Sequence, residues 1–285
     1  MRVFRIRWRL GAVLLVVCLG FLRLRRCSTL PSRTNRTVST TLLDTEETQL
    51  GRAIAPRVAA HPGLCGIHPL RDGRDAFAAR VRLARVAERT LDVQYYIWRN
   101  DMTSTLLTDA LRSAADRGVR VRLLLDDNNT SGLDPILAAL DSHRNVEVRL
   151  FNPFVIRKPR VGYVTDFFRA NRRMHNKSFT ADNQTIIGRR TVGDEYFGAA
   201  EEGLLFVDLD VLAIGPIVSD VSRDFDRYWA SASSYPADRL LPGVNAAQLE
   251  QLKAAALSVE QDPASVAYMN ALRDSPFVRQ LIEGT

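Results

Sequence analysis

A regular alternation of helical and extended patterns between residues 74 and 151 restricts the fold most. Apolar residues recur at helical spacing from Phe77 to Val86, and the stretch from Leu91 to Trp98 is rich in β-branched and aromatic residues. The same order returns twice, with predicted strands at Val119–Leu125 and Val146–Phe151. Short crossovers between such strands are typical of parallel βαβ units. The sequence therefore predicts an α/β fold, with a mostly parallel mixed sheet and helices on both faces.

The pattern changes after residue 173. The pattern there indicates a β-hairpin: a strand from Met174 to Ala181, a turn at Asp182-Asn183 and a second strand ending at Gly188. A further strand is predicted over 204–214, and a helix with one apolar stripe follows from Pro216 to Trp229. The remaining tail, residues 231–285, shows helical segments and no strand pattern.

The first 60 residues differ from the rest. Four arginines precede an apolar run of 13 residues, Leu10 to Leu22, which three further arginines follow. Such a run spans about 20 Å as a helix, less than a bilayer core requires, so it predicts a signal-peptide core or a short membrane anchor. Cys27 begins a stretch resembling the mature start of a lipoprotein, although arginines replace the small residues that such processing needs.

These patterns divide the chain into four parts. We expect a signal or membrane anchor at 1–26, a flexible Ser/Thr/Arg-rich tether at 27–60, a folded lobe at 61–231 and a helical linker at 232–285. The linker could equally be a truncated segment between two lobes.

Composition excludes several classes of function. The chain has 285 residues, 46% of them hydrophobic, which excludes a disordered protein. Its three cysteines form no CxxC pair, so neither a disulfide framework nor a cysteine zinc site is supported, and we expect no metal or cofactor. A net charge of +7 favours an anionic partner, whether phosphate, nucleic acid or acidic lipid.

The strongest chemical signal is His175 followed two residues later by Lys177. The chain has only four histidines and three lysines, so the pairing of two scarce residue types is informative. Alternate residues of a strand share one face, which would place the imidazole beside the ammonium group. A neutral imidazole can attack phosphorus while an ammonium group holds the phosphate oxygens, and this pairing favours phosphodiester chemistry.

The stretch from Arg172 to Asp182 contains H-x-K-x(4)-D, and it resembles the signature of the phospholipase D superfamily. Similarity to the N-terminal lobe of bacterial C-type cardiolipin synthases extends through Gly193–Gly198, Leu91–Trp98, Val121–Asn129 and Asp208–Gly215. This resemblance implies that His175 is the covalent nucleophile, or the general acid if roles are exchanged, and that Lys177 binds phosphate oxygens.

The resemblance also implies roles for further residues. Asp182 would be the motif carboxylate, and Asp210 would hold the catalytic imidazole by its second nitrogen. From the residues alone, Asp182 could instead form a turn, and Asp210 could be a polar residue on a half-exposed strand. The phosphate-binding set implied by the family consists of Asn176, Lys177, Gly188 and Thr191.

Three departures from the family pattern stand out. Five residues separate Asp182 from Gly188 where the family has six, and Arg189-Arg190-Thr191 replaces a small residue and an Asn. The family carries two motifs in two lobes, whereas this sequence contains one. The resemblance therefore implies a phosphatidyltransferase acting on phosphatidylglycerol or phosphatidylethanolamine, with a second motif supplied by a homodimer mate or a missing lobe. The alternatives are an inactive half-enzyme that binds membranes or a partner, and, less favoured by the targeting segment, a nuclease.

Overall fold

The computed structural model describes residues 29–155, 157, 167–200 and 206–283. Within these ranges eight strands form one sheet: β1 (Gly66–Leu70), β2 (Thr90–Tyr95), β3 (Arg120–Asp126), β4 (Val146–Phe151), β5 (Ser178–Ala181), β6 (Gln184–Gly188), β7 (Asp210–Ile214) and β8 (Ser234–Pro236). The described helices are α1 (Gln49–Ala60), α2 (Gly73–Val86), α3 (Met102–Asp116), α4 (Asp134–Asp141), α5 (Phe167–Ala170), α6 (Asp194–Phe197), α7 (Pro216–Ala230), α8 (Ala246–Gln261), α9 (Pro263–Arg273) and α10 (Pro276–Glu283).

The sheet has the order β1-β7-β6-β5-β2-β3-β4-β8. The predicted α/β class is confirmed, but the balance of pairings differs from the prediction. Only the β2/β3 and β3/β4 pairs are parallel, and the other five pairs are antiparallel. The helix-strand alternation governs only the three central strands, while the β5-β6 hairpin and β7 extend the sheet in the antiparallel sense. The tail also contributes β8, a strand of three residues that the sequence pattern did not indicate.

Helices cover both faces of the sheet, as predicted. Leu91 and Val93 of β2 and Val121 and Leu123 of β3 enter the large apolar core beneath α2, α3 and α4, together with Val148 of β4. The opposite face carries Leu124, which packs with the α7 aromatics in a smaller cluster. Side chains alternate between the two faces of a strand, so one chain segment supplies both layers.

The segment before the lobe is not a flexible tether. Residues 36–44, which we call the strap, lie across the α7 face of the sheet. Arg149 donates to the Thr37 carbonyl at 2.7 Å and Arg122 to the Ser39 carbonyl at 3.0 Å, and both guanidinium groups stack on Trp229. Buried arginines need acceptors, and the strap backbone supplies them. The targeting segment and Cys27 lie outside the described residues.

The C-terminal tail packs back onto the lobe. Tyr268 of α9 is buried, meets Phe77 of α2 edge-on with ring centroids 5.6 Å apart, and donates its hydroxyl proton to the Phe197 carbonyl at 2.9 Å. Burial raises the pKa of this tyrosine far above its ordinary value. None of the helices in the described ranges is both long and apolar enough to cross a bilayer.

Candidate active site

The topology brings several loops to one edge of the sheet. The parallel strands β2, β3 and β4 end there, and so does β6, whereas β5 and β7 begin there. Polar side chains at the carboxyl ends of parallel strands commonly form binding sites. The stretch 172–177, which contains the H-x-K pair, lies at this edge immediately before β5.

The backbone leading to His175 is fixed by a buried carboxylate. Asp126, the last residue of β3, accepts the Met174 amide at 2.7 Å and pairs with the Arg173 guanidinium at 3.0 Å. The side-chain amide of Asn152 donates to the Arg172 carbonyl from the end of β4. Burial raises the pKa of Asp126, and the Arg173 charge opposes that shift. Ends of two parallel strands therefore set the position of the H-x-K segment.

His175 and Lys177 lie side by side, as the spacing predicted. The Lys177 ammonium is 3.1 Å from His175 Nδ1 and donates to the His175 carbonyl at 3.0 Å. Tyr96 packs against the imidazole with ring centroids 4.5 Å apart, and the ammonium lies 5.7 Å from the centroid of the same ring. The pair precedes β5 in irregular backbone and not within the strand, so Tyr96 and the fixed 172–174 backbone position it.

The surroundings of His175 favour its neutral form. Partial burial lowers the pKa of His175, and the positive charges of Lys177 and Arg189 lower it further. Burial also lowers the pKa of Lys177, with Asp208 acting in the opposite direction. An imidazole with a pKa below its ordinary value is unprotonated at neutral pH, which is the form that attacks phosphorus.

His175, Asn176, Lys177 and Gly188 line a common cleft of about 480 Å³. Helix α7 adds Asp220, Val221 and Asp224 to the lining, and the Asn176 amide donates to Asp224 at 3.3 Å. The glycine is required by its β7 neighbour, because a Cβ at Gly188 would lie 2.0 Å from Asp210 Oδ1. Three of the four expected phosphate-binding residues are thus brought together.

Thr191, the fourth, lies elsewhere. Its side chain is buried, and its hydroxyl has no hydrogen-bond partner among the described residues. The next residue, Val192, bridges to Trp98. The neighbouring side chains of Arg189 and Arg190 also differ in exposure. The Arg190 guanidinium is buried and donates to the Leu70 carbonyl at 2.8 Å, whereas the Arg189 side chain is 85% exposed. We therefore do not place Thr191 in the cleft.

Asp182 caps backbone amides at the other end of β5. It occupies the hairpin turn with φ of 48°, and its carboxylate accepts the amides of Glu88, Arg89 and Thr90 at 2.9–3.0 Å. With strands rising about 3.3 Å per residue, Asp182 lies well over 10 Å along the chain from His175. Its contacts are those of a structural turn residue that joins the hairpin to the start of β2.

Asp210 holds an arginine in this structure, not the imidazole. It is fully buried, pairs with Arg80 Nη2 at 2.7 Å and accepts the Arg190 amide at 3.1 Å. Arg80 also donates to the Tyr95 hydroxyl at 2.7 Å. Arg80 belongs to α2, which covers the face of the sheet away from α7 and the cleft. The expectation that Asp210 orients His175 is therefore corrected, since its carboxylate serves a buried ion pair directly behind Gly188.

Two residues of the site were not assigned from the sequence. Tyr96 lies in the predicted strand Leu91–Trp98, where an aromatic residue indicates a core strand before it indicates a site. Arg189 stands at the cleft margin, 3.6 Å from Asp208, and its charge acts on both His175 and Lys177. Within the described ranges, no group of three or more His, Cys, Asp or Glu side chains could hold a metal ion.

The cleft lies within a stretch of the chain that matches a known protein family. Residues 81–229 match the model of the cardiolipin synthase, phospholipase D-like domain. The chain is 54% identical over 239 residues to cardiolipin synthase C of Escherichia coli, an alignment covering 83% of this chain and 50% of that protein. An uncharacterised Helicobacter pylori protein is 38% identical over 201 residues, or 69% of this chain and 40% of that protein. The chain thus spans about half the length of these relatives or less.

Among solved structures, phosphatidylserine synthase of Haemophilus influenzae superposes with a TM-score of 0.47 and 12% identity. The superposition covers 69% of this chain and 43% of that one.

Proposed function

This chain belongs to the family of cardiolipin synthases that share a phospholipase D-like domain, and from that premise we propose that it transfers phosphatidyl groups between phospholipids. The observation that carries the proposal is the His175 and Lys177 pair, an imidazole 3.1 Å from an ammonium group in the lining of a cleft. The relatives named cardiolipin synthase support a phospholipid as the substrate.

The proposed reaction has two displacement steps. A ring nitrogen of His175 attacks the phosphodiester phosphorus, forming a P–N bond while the bond between phosphorus and the head-group oxygen breaks. The hydroxyl of a second lipid, or water, then attacks the same phosphorus, forms a P–O bond and releases the imidazole. Transfer to phosphatidylglycerol yields cardiolipin, and transfer to water yields phosphatidic acid.

Cations at the cleft stabilise the charge that develops on the phosphate oxygens. Lys177 is placed to contact a nonbridging oxygen of a phosphate held against His175, and Arg189 at the margin adds a second positive charge. Donors already in position need no reorganisation as the transition state forms. Asn176 and Gly188 line the same cleft, together with Asp220, Val221 and Asp224 of α7.

The leaving alkoxide needs a proton, and a second histidine is the group of choice. None of His61, His68 and His143 is followed two residues later by a lysine. We propose that the second motif comes from another copy of the chain across a two-fold axis, or from a second lobe. The protein would act at the bacterial cell membrane, with phosphatidylglycerol or phosphatidylethanolamine as donor.

Lipid products test the proposal. The full chain is incubated with vesicles of phosphatidylglycerol, with and without phosphatidylethanolamine, and cardiolipin and phosphatidic acid are quantified by mass spectrometry. We expect cardiolipin, its loss in His175→Ala, and a steep loss in Lys177→Met, with Lys253→Met as the control at a half-buried lysine of α8. Specific activity should rise with protein concentration if a second copy completes the site. An absence of both products across the concentration series would support the inactive half-enzyme instead.

A further inference from the structure

Exposed apolar side chains gather on two short segments at the edge of the sheet that bears the cleft. The first is Phe167–Phe168 at the start of α5, and the second contains Phe206, Val207 and Leu209 just before β7. Phe168 is 85% exposed and Val207 is 96% exposed. We call these five residues the apolar rim. The other large exposed apolar residues of the described chain are spread singly or in pairs over distant elements, namely Val38, Leu43, Leu64, Ile67, Leu257 and Val266.

The two halves of the apolar rim lie on opposite sides of the cleft. Arg169 of the first segment donates to the Pro153 carbonyl at 2.9 Å, which ties that segment to the loop after β4. In the second segment the Leu209 carbonyl accepts the Arg189 amide at 3.3 Å, next to the end of β6. Strands β5, β2 and β3 lie between β6 and β4 in the sheet. His175, which immediately precedes β5, is therefore bracketed by apolar groups.

The second segment is held in place while remaining exposed. The Phe206 ring stacks on Tyr196 with centroids 4.9 Å apart, and the Phe206 amide donates to the Glu195 carbonyl at 3.0 Å. Asp208, which lies between two rim residues in sequence, has its carboxylate 3.6 Å from the Arg189 guanidinium. The Val207 side chain is therefore exposed although contacts of Phe206 hold the adjacent backbone in place. Most large apolar side chains of a folded protein are buried.

Basic groups accompany the apolar rim. Arg172 is exposed between the first segment and His175, and Arg189 is exposed beside the second. Apolar and aromatic side chains next to cations are the combination that binds the interface of an anionic bilayer: the apolar groups enter the acyl boundary and the cations meet lipid phosphates.

We propose that the apolar rim inserts into the surface of an anionic bilayer and holds the cleft against the lipid head groups. The inference rests on the proposed function, because a phosphodiester in a bilayer reaches His175 only if this edge of the sheet faces the membrane. It adds a docking surface within the folded lobe, separate from any contribution of the amino-terminal segment. Docking on both sides of the cleft would fix the height of the imidazole relative to the phosphate layer.

Tryptophan fluorescence tests the insertion site by site. Val207→Trp places a reporter in the rim, and Val38→Trp is the matched control, since Val38 is 94% exposed on the strap, beside Glu147 at the opposite end of β4. The unsubstituted full chain supplies the background emission. With phosphatidylglycerol vesicles containing brominated lipid, we expect roughly threefold stronger quenching of the Val207→Trp signal than of the Val38→Trp signal, because an interfacial side chain lies about 5–10 Å inside the boundary.

The outcomes separate the docking surface from the chemistry. Adding His175→Ala to Val207→Trp should leave the quenching intact while removing lipid transfer, and phosphatidylcholine vesicles should quench less than phosphatidylglycerol vesicles. Equal quenching at residues 207 and 38 would overturn the docking proposal, even if cardiolipin is formed. Strong quenching at residue 207 without any lipid product would leave the docking surface standing and remove the proposed function.

Discussion

At the residue scale, the contacts around the cleft are of two kinds: those between residues close in sequence and those that tertiary packing creates. His175 and Lys177 lie 3.1 Å apart as expected, but they precede β5, so Tyr96 and the fixed 172–174 backbone bring them together and strand alternation does not. The role of Asp210 could not be predicted, because its partner Arg80 lies 130 residues away in sequence and α2 brings it there only through tertiary packing. The burial of Arg190 and Thr191 beside an exposed Arg189 could not be predicted either, because it depends on how β6 pairs with β7.

The pKa of His175 leads to a pH prediction. Burial and two nearby cations lower it from the ordinary 6.5, so the protonated, non-nucleophilic form accumulates only below that pH. The acid limb of the phosphorylation rate should therefore have its midpoint below 6.5. Removing a cation favours protonation, so Arg189→Gln should move the acid limb to higher pH, and Arg57→Gln, at an exposed arginine of α1, should leave it in place. A wild-type midpoint above the ordinary value would contradict the electrostatic account.

The contacts of Asp182 predict how its replacement changes the stability of the fold. Its carboxylate accepts three backbone amides, so Asp182→Ala leaves donors unsatisfied and should lower the free energy of unfolding by about 3 kcal/mol. Urea denaturation measures the change, with Asp274→Ala in the tail as a control at an exposed aspartate. Full stability combined with lost activity would instead assign Asp182 to the chemistry.

At the element scale, periodicity predicted the helices and central strands but not the sheet as a whole. The runs that became β2, β3 and β4 are apolar enough to be recognised in isolation. β8 has three residues, and β1 is exposed along most of its length, so neither carries a pattern that sequence inspection detects. The strap was misread for a related reason: its Ser and Thr residues suggest disorder, yet their backbone carbonyls satisfy arginines that only the folded sheet buries.

The strap should behave as part of the folded lobe. The Thr41 amide donates to Asp226 of α7 at 2.9 Å, so hydrogen exchange at Thr41 should be slowed by a factor on the order of 100 or more relative to an unstructured peptide. Trp229→Ala removes the ring that both arginines stack on and should cost about 3–5 kcal/mol of unfolding free energy while releasing this protection. Exchange at the unstructured rate in the unsubstituted chain would restore the tether interpretation.

At the scale of the whole molecule, the proposed function makes the folded lobe one half of a two-histidine site. The cleft, its cations and the apolar rim share one edge of the sheet, and under the two proposals this edge faces the membrane and receives the second motif. We take His175 as the nucleophile whether a second copy or a second lobe provides that motif. The nucleophile can therefore be tested separately from the general acid.

The most direct test uses a phosphodiester that needs no acid. In bis(p-nitrophenyl) phosphate, attack by His175 forms a P–N bond and expels p-nitrophenolate, which leaves without a proton, so one motif suffices for this step. We predict a burst of p-nitrophenolate approaching one equivalent per chain and a p-nitrophenyl phosphate adduct on the His175 peptide by mass spectrometry, both absent in His175→Ala. No burst from the unsubstituted chain, or an equal burst from His175→Ala, would contradict the assignment of His175 as the nucleophile.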